Sequence, residues 1–134
     1  MSSSSLSTAG VLLITVPAVA FGGMSLLAHL TRNIPGYLDN PTRRSLWRAG
    51  HAHAGVLVLF ALVAMLYVDQ ADLSDGMRTL VRVLIAAAPI LMPLGFFLSV
   101  ARPRGTKPNG LIWLTVAGGA GLGVGALALG IGLL

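Results

Sequence analysis

The chain reads as an all-α integral membrane protein, with four transmembrane helices in an up-down bundle. Two observations predict this. Of its 134 residues 55% are hydrophobic and 10% charged, whereas a soluble domain carries about 25% charge. The apolar residues also gather into four runs. Each run is long enough for a hydrocarbon core of about 30 Å, at about 1.5 Å of helix per residue.

The first run covers about residues 10–31, the second 48–68, the third 77–100 and the fourth 109–134. Residues 10–134 form a single transmembrane domain on this reading. The polar start, MSSSSLSTA over residues 1–9, reads as a disordered tail. The first run carries a small-residue cleavage pattern at Ala18 and Ala20, but no basic region precedes it. Cleavage there would leave only FGGMSLLAHL, too short to span, so it is expected to stay as a helix.

Charge orders the connections. The first holds Arg32, Arg43, Arg44 and Arg48 against Asp39, and the third holds Arg102, Arg104 and Lys107 with no acid. The second holds Asp69, Asp72 and Asp75, with Arg78 and Arg82 entering the third run. The positive-inside rule then places connections one and three in the cytoplasm and both termini outside. The net charge of +5 thus reads as orientation and contact with anionic lipid, not nucleic-acid binding. Arg43, Arg44 and Arg48 cluster with Trp47, as candidates for contact with lipid or a partner. The lipid bilayer is the expected partner, with a membrane protein or a second copy as further ones.

Small residues mark expected packing faces. In the second run Gly50, Ala54 and Ala61 share one stripe, while Val56, Leu59, Val63, Leu66 and Tyr67 lie opposite. In the first, Thr15, Ala18, Gly22, Ser25 and His29 share a stripe. The fourth pairs Gly119 with Gly123, and Gly121 with Gly125, at the spacing that lets helix backbones approach. Pro89 and Pro93 predict a kink in the third helix, because each removes a backbone donor.

Candidate chemistry rests on His29, His51 and His53, the only histidines. His29 lies near the end of the first run, and the others near the start of the second. All three are therefore expected near one depth. Paired imidazoles could ligate a b-type haem, or three could hold a divalent metal such as zinc. The absence of cysteine excludes thiolate ligands. On a regular helix His51 and His53 point about 160° apart. At most one should therefore face His29, and His51 has the more room.

Size and helix number resemble those of the small multidrug resistance transporters. That family's essential first-helix glutamate has no counterpart; His29 is the ionisable residue available there. All four acids lie outside the apolar cores. No nucleophile with an oriented base is legible, so an enzyme is not the favoured expectation. The favoured expectation is an accessory or assembly component of a membrane complex. The alternatives are a haem- or metal-binding protein and an oligomeric channel or transporter.

Overall fold

A computed structural model describes all 134 residues. It contains four helices and no strand: α1 (Ser3–Thr31), α2 (Pro41–Tyr67), α3 (Asp75–Ser99) and α4 (Trp113–Gly132), the last entered through a 3₁₀ turn at Gly110–Ile112. Each is long and apolar enough to cross a membrane. The chain is a four-helix, multi-pass membrane protein by architecture.

Successive helices run antiparallel and pack in chain order. α1 lies on α2, α2 on α3 and α3 on α4, and α1 touches α3 only lightly. α2 is the central support. It buries 39% of its most apolar stretch, whereas α1 buries 6% of its own. Most of α1's large side chains, such as Ile14, Phe21 and Met24, are exposed. In an apolar solvent such exposure costs little, so it marks lipid-facing surface.

The seams follow one rule. On α1 the less exposed side includes Leu12, Thr15, Val19, Gly22, Leu26 and His29. On α2 Gly50, Ala54, Leu57, Ala61 and Ala64 are buried, and Val68 at its C-cap continues the row. On α3 Val81, Ile85, Ala88, Gly95 and Ser99 are buried. These steps alternate between three and four residues, or seven where one position is skipped. That average of about 3.5 keeps a seam facing its partner at a shallow left-handed crossing. The core joins Leu12, Ala61, Met65, Val68, Val81, Ile85 and Leu129.

Two expectations need correction. Residues 1–9 are not an unstructured tail, because α1 begins at Ser3 and Ser5 is fully buried. The cause is tertiary. Ser2 caps the helix by accepting from the Ser5 amide. Asp69, just beyond α2, accepts from the Ser2 amide and from both serine hydroxyls, at 2.9 Å for Ser2 and 3.0 Å for Ser5. Arg82 closes the group, 3.5 Å from Asp69. Next, α2 starts seven residues before the expected Arg48, at Pro41. The Asn40 side chain accepts from the Arg43 amide, and Pro41 takes the first turn, where a missing donor costs nothing. At the stretch where a kink is expected, α3 stays helical through Pro89 and Pro93. The side chain that reaches this stretch from the neighbouring helix is Thr115, whose hydroxyl donates to the Met92 carbonyl at 3.1 Å.

The Ser2 amide, foremost, holds the Asp69 carboxyl below the usual carboxylate range. The two hydroxyls and Arg82 add to this, and burial opposes it. A carboxyl lowered in the folded state stabilises it above the unfolded value of about 3.9 and loses that contribution as pH falls further. Asp69→Asn should therefore loosen the first turns of α1 at pH 7 by about 1 kcal/mol. Hydrogen exchange, corrected for intrinsic rates, should show lower protection over Ser3–Thr8 in the variant. Wild-type protection there should approach the variant's below about pH 4. Equal protection at pH 7 would remove the latch.

Candidate functional site

One end of the bundle carries most of the positive charge, because the first and third connections meet there. Gly36 adopts φ 80° in the first connection. A side chain at Gly36 would come within 2.9 Å of Pro103 in the third connection. Asn40 ties the loops further, its amide donating to the carbonyls of Pro103 at 3.1 Å and Gly105 at 2.9 Å. Arg43 is buried between them. Its guanidinium donates to Gly36 and Ala101 carbonyls, both at 3.2 Å, and stacks 4.1 Å from the Trp47 ring. Its Nε is the one buried side-chain polar atom without a partner. Trp47 in turn donates to the Phe97 carbonyl at 3.3 Å.

Arg43, Arg44, Trp47 and Arg48, grouped by sequence, therefore do different things. Arg43 and Trp47 lock two loops and two helices together. Arg44 is half-buried and makes one long hydrogen bond, 3.4 Å to the Leu38 carbonyl. Arg48 is exposed and makes no hydrogen bond or ion pair.

The three histidines do not converge, and no group of three metal-binding side chains comes together. His29 sits against the rings of Tyr37, at 5.5 Å, and Trp47, at 5.3 Å. His51 meets α1 much further along, at Gly22 and Gly23. Gly23 lies six residues before His29, about 9 Å along the helix. The expected shared depth fails for this pair because α1 and α2 run antiparallel and Trp47, not His51, stands level with His29.

His51 and His53 point apart, as i and i+2 must. The His51 ring fills a notch. A Cβ added at Gly23 would stand 2.9 Å from its Cε1 and 3.0 Å from its Nε2. Its far ring edge is thus packed on the α1 backbone. The same residue also lines a mostly apolar cleft of about 330 Å³ with Thr15, Pro89, Ile90 and Pro93. His53 faces the other way. Its ring lies 5.1 Å from Phe96 of α3 and borders a small depression of about 160 Å³ with Ala52, Val56 and Leu57.

The hydrogen bonding separates the imidazoles chemically. Nδ1 of His53 lies 2.7 Å from the Ala49 carbonyl. Nδ1 of His29 lies 2.7 Å from the Ser25 carbonyl. A carbonyl only accepts, so each Nδ1 carries the proton. A neutral ring then presents Nε2 as a lone pair, the tautomer a ligating histidine uses. For His29, rings close over two sides. His53 borders an open, apolar surface.

The glycine positions divide in the same plain way. A Cβ at Gly125 would stand 3.0 Å from Ile85, and one at Gly121 3.3 Å from Leu84. Gly119 has one ordinary contact, 3.8 Å to Met92, and Gly123 has open space around it. Gly123 is therefore not part of the internal seam. The tightest approaches fall at glycines not singled out from the sequence, Gly95, Gly118 and Gly132. Gly118, Gly125 and Gly132 repeat every seven residues, and this was the legible signal. Gly50, Ala54 and Ala61 are buried in α2, with Gly50 against Phe96 and Phe97.

Comparison with family models, curated proteins and solved structures finds no match to this chain.

Proposed function

We propose that the protein binds a haem on the outer side of α2, with His53 as the axial ligand. The observation that carries this is the His53 ring itself. Its Nδ1 is held by the Ala49 carbonyl, its ring lies against Phe96, and the residue borders an apolar depression. A zinc site of the usual kind needs three or four protein ligands. A porphyrin brings four nitrogens of its own, so one imidazole suffices. With one imidazole supplied by this chain, a bound haem would offer small-ligand binding at its metal more than simple electron transfer.

Purified protein titrated with haem should give a shifted Soret band at one haem per chain. His53→Ala should abolish that shift while His29→Ala keeps it. A wild-type spectrum identical to free haem in detergent would sink the proposal.

An accessory role in a larger complex draws on the exposure of α1, but a bilayer covers that helix equally well. His53 is the more specific feature. The membrane orientation follows from charge. Seven of the nine basic residues gather at the end formed by the first and third connections, where Asp39 is the only acid. We infer that this end is cytoplasmic. The chain has no cysteine, so single cysteines report cleanly. Lys107→Cys should resist a membrane-impermeant maleimide in intact cells, and Asp72→Cys, at an exposed position, should react. The opposite pattern would invert the assignment.

A further inference from the structure

His51 is the one histidine whose ring makes no hydrogen bond inside the protein; His29 and His53 each hold a carbonyl at 2.7 Å. It lies ten residues into α2, about 15 Å from the Pro41 end of the helix. An ionisable side chain at that depth is costly in lipid unless a cavity or a partner takes it up. The cavity here is the cleft of about 330 Å³ that His51 lines. Its floor is buried, with Ala54 from α2 and Pro89 and Pro93 from α3. Its mouth is open, since Ala18, Ile90 and Leu94 are exposed. Because α1 and α3 touch only lightly, the cleft opens sideways into the bilayer. Ile90 also lines a second, mostly apolar depression of about 370 Å³ between the same helices, nearer the start of α1, beside Val11 and Leu12.

The lining limits what can bind. It contains no Asp, Glu, Lys or Arg. Thr15 is its other polar side chain, and that hydroxyl already donates to the Leu12 carbonyl at 2.6 Å. The imidazole N–H is therefore the uncommitted donor. Phe97 and the two proline rings supply flat apolar walls. We propose that this cleft binds a prenylated quinone from the bilayer, with one ring carbonyl accepting a hydrogen bond from His51. The head lies between α1, α2 and α3, and the tail follows the groove past Ile90 toward Val11 and Leu12. Such a molecule is lipid-soluble, flat and uncharged, and its polar atoms are acceptors. A phospholipid or fatty acid brings a charged head that the lining does not match. The site is separate from the His53 depression, with which it shares no residue.

The test titrates the full chain in mild detergent with a decyl-substituted benzoquinone. Trp47 reports binding by quenching, because its ring lies 6.1 Å from that of Phe97. Wild type should show saturable quenching at one quinone per chain. Decylbenzene, which lacks the carbonyls, and oleate, which is charged, should displace the quinone only at tenfold or greater excess. His51→Leu should weaken binding at least tenfold, the loss of one hydrogen bond in a dry site. His51→Gln keeps a donor and should stay within about threefold of wild type. At saturation the infrared carbonyl stretch of the quinone should fall in wild type and in His51→Gln, but not in His51→Leu. Gly22→Leu should abolish binding by filling the cleft. A Cβ there meets only an ordinary contact, 3.7 Å from His51, so this variant should fold even if His51→Leu does not. Leu59→Ala, on the exposed side of α2, should bind as wild type does. Displacement by decylbenzene or oleate at equal concentration would make the cleft a plain lipid groove and overturn the proposal. So would unchanged binding in Gly22→Leu, an unchanged carbonyl band in His51→Leu, or quenching of wild type that never saturates.

Discussion

Gly118→Leu should unfold the α3–α4 half of the bundle at a temperature well below that of the wild type. A Cβ at Gly118 would stand 2.8 Å from Met92 Cγ, 3.1 Å from Leu91 Cβ and 3.2 Å from the Met92 amide nitrogen. The methionine side chain can swing away, but the backbone nitrogen cannot. At Gly95 the constraint is harder, since a Cβ there would overlap the Thr115 hydroxyl and amide nitrogen. Overpacking of a tight contact costs about 1–3 kcal/mol, and more where backbone must move. The α3–α4 pair also holds the Thr115 hydrogen bond, which would open with it. Gly95→Val is expected to be worse than Gly118→Leu. Gly123→Leu, with nothing within 4 Å of its Cβ position, should be near neutral. Detergent-solubilised proteins melted in parallel, read by circular dichroism and by retention of a monodisperse gel-filtration peak, give the ranking. A Gly123 variant as unstable as the Gly118 variant would refute it.

That ranking shows where sequence reading ran out. Four helices were legible because apolar run length is a property of the chain alone. Which glycine faces a neighbour is not, since it depends on the rotation of α4 about its axis. The four sites Gly119, Gly121, Gly123 and Gly125 have the same local spacing, yet only two face a tight seam. A seven-residue count from Gly118 to Gly132 would have picked the seam, because a seam between shallowly crossed helices repeats at that period. The start of α2 was legible and misread. Asp39-Asn40-Pro41-Thr42 looks like a turn, but an asparagine before a proline is equally a helix cap. Ser5 was not legible at all. Its burial depends on Asp69, 64 residues away, and nothing local marks a serine run for that contact. The histidine question turned on the same geometry. Spacing fixed that His51 and His53 diverge, but which one meets α1 depended on the register of two helices.

His51 and His53 should therefore fail in opposite ways. His51→Ala empties the notch at Gly22 and Gly23 and removes packing between α1 and α2, so the variant should lose stability. Deleting a large buried group costs about 2–5 kcal/mol in a closed core. His51 is half-buried, so the lower end, about 2 kcal/mol, is expected. Its haem titration should stay close to wild type once folded. Gly23→Val should mimic the loss by driving the ring out, and in the His51→Ala background the same valine should cost much less, because the cavity now accepts it. Such non-additivity is the signature of direct contact. His53→Ala should do the reverse. The side chain braces no second helix except through Phe96, so the melting temperature should move little, while haem binding falls at least a hundredfold. Added imidazole should restore part of the Soret shift in His53→Ala by supplying the missing nitrogen in the emptied depression. If His51→Ala loses the spectrum and His53→Ala keeps it, the ligand assignment is wrong. The site would then lie in the α1–α2–α3 cleft, beside Pro89 and Pro93.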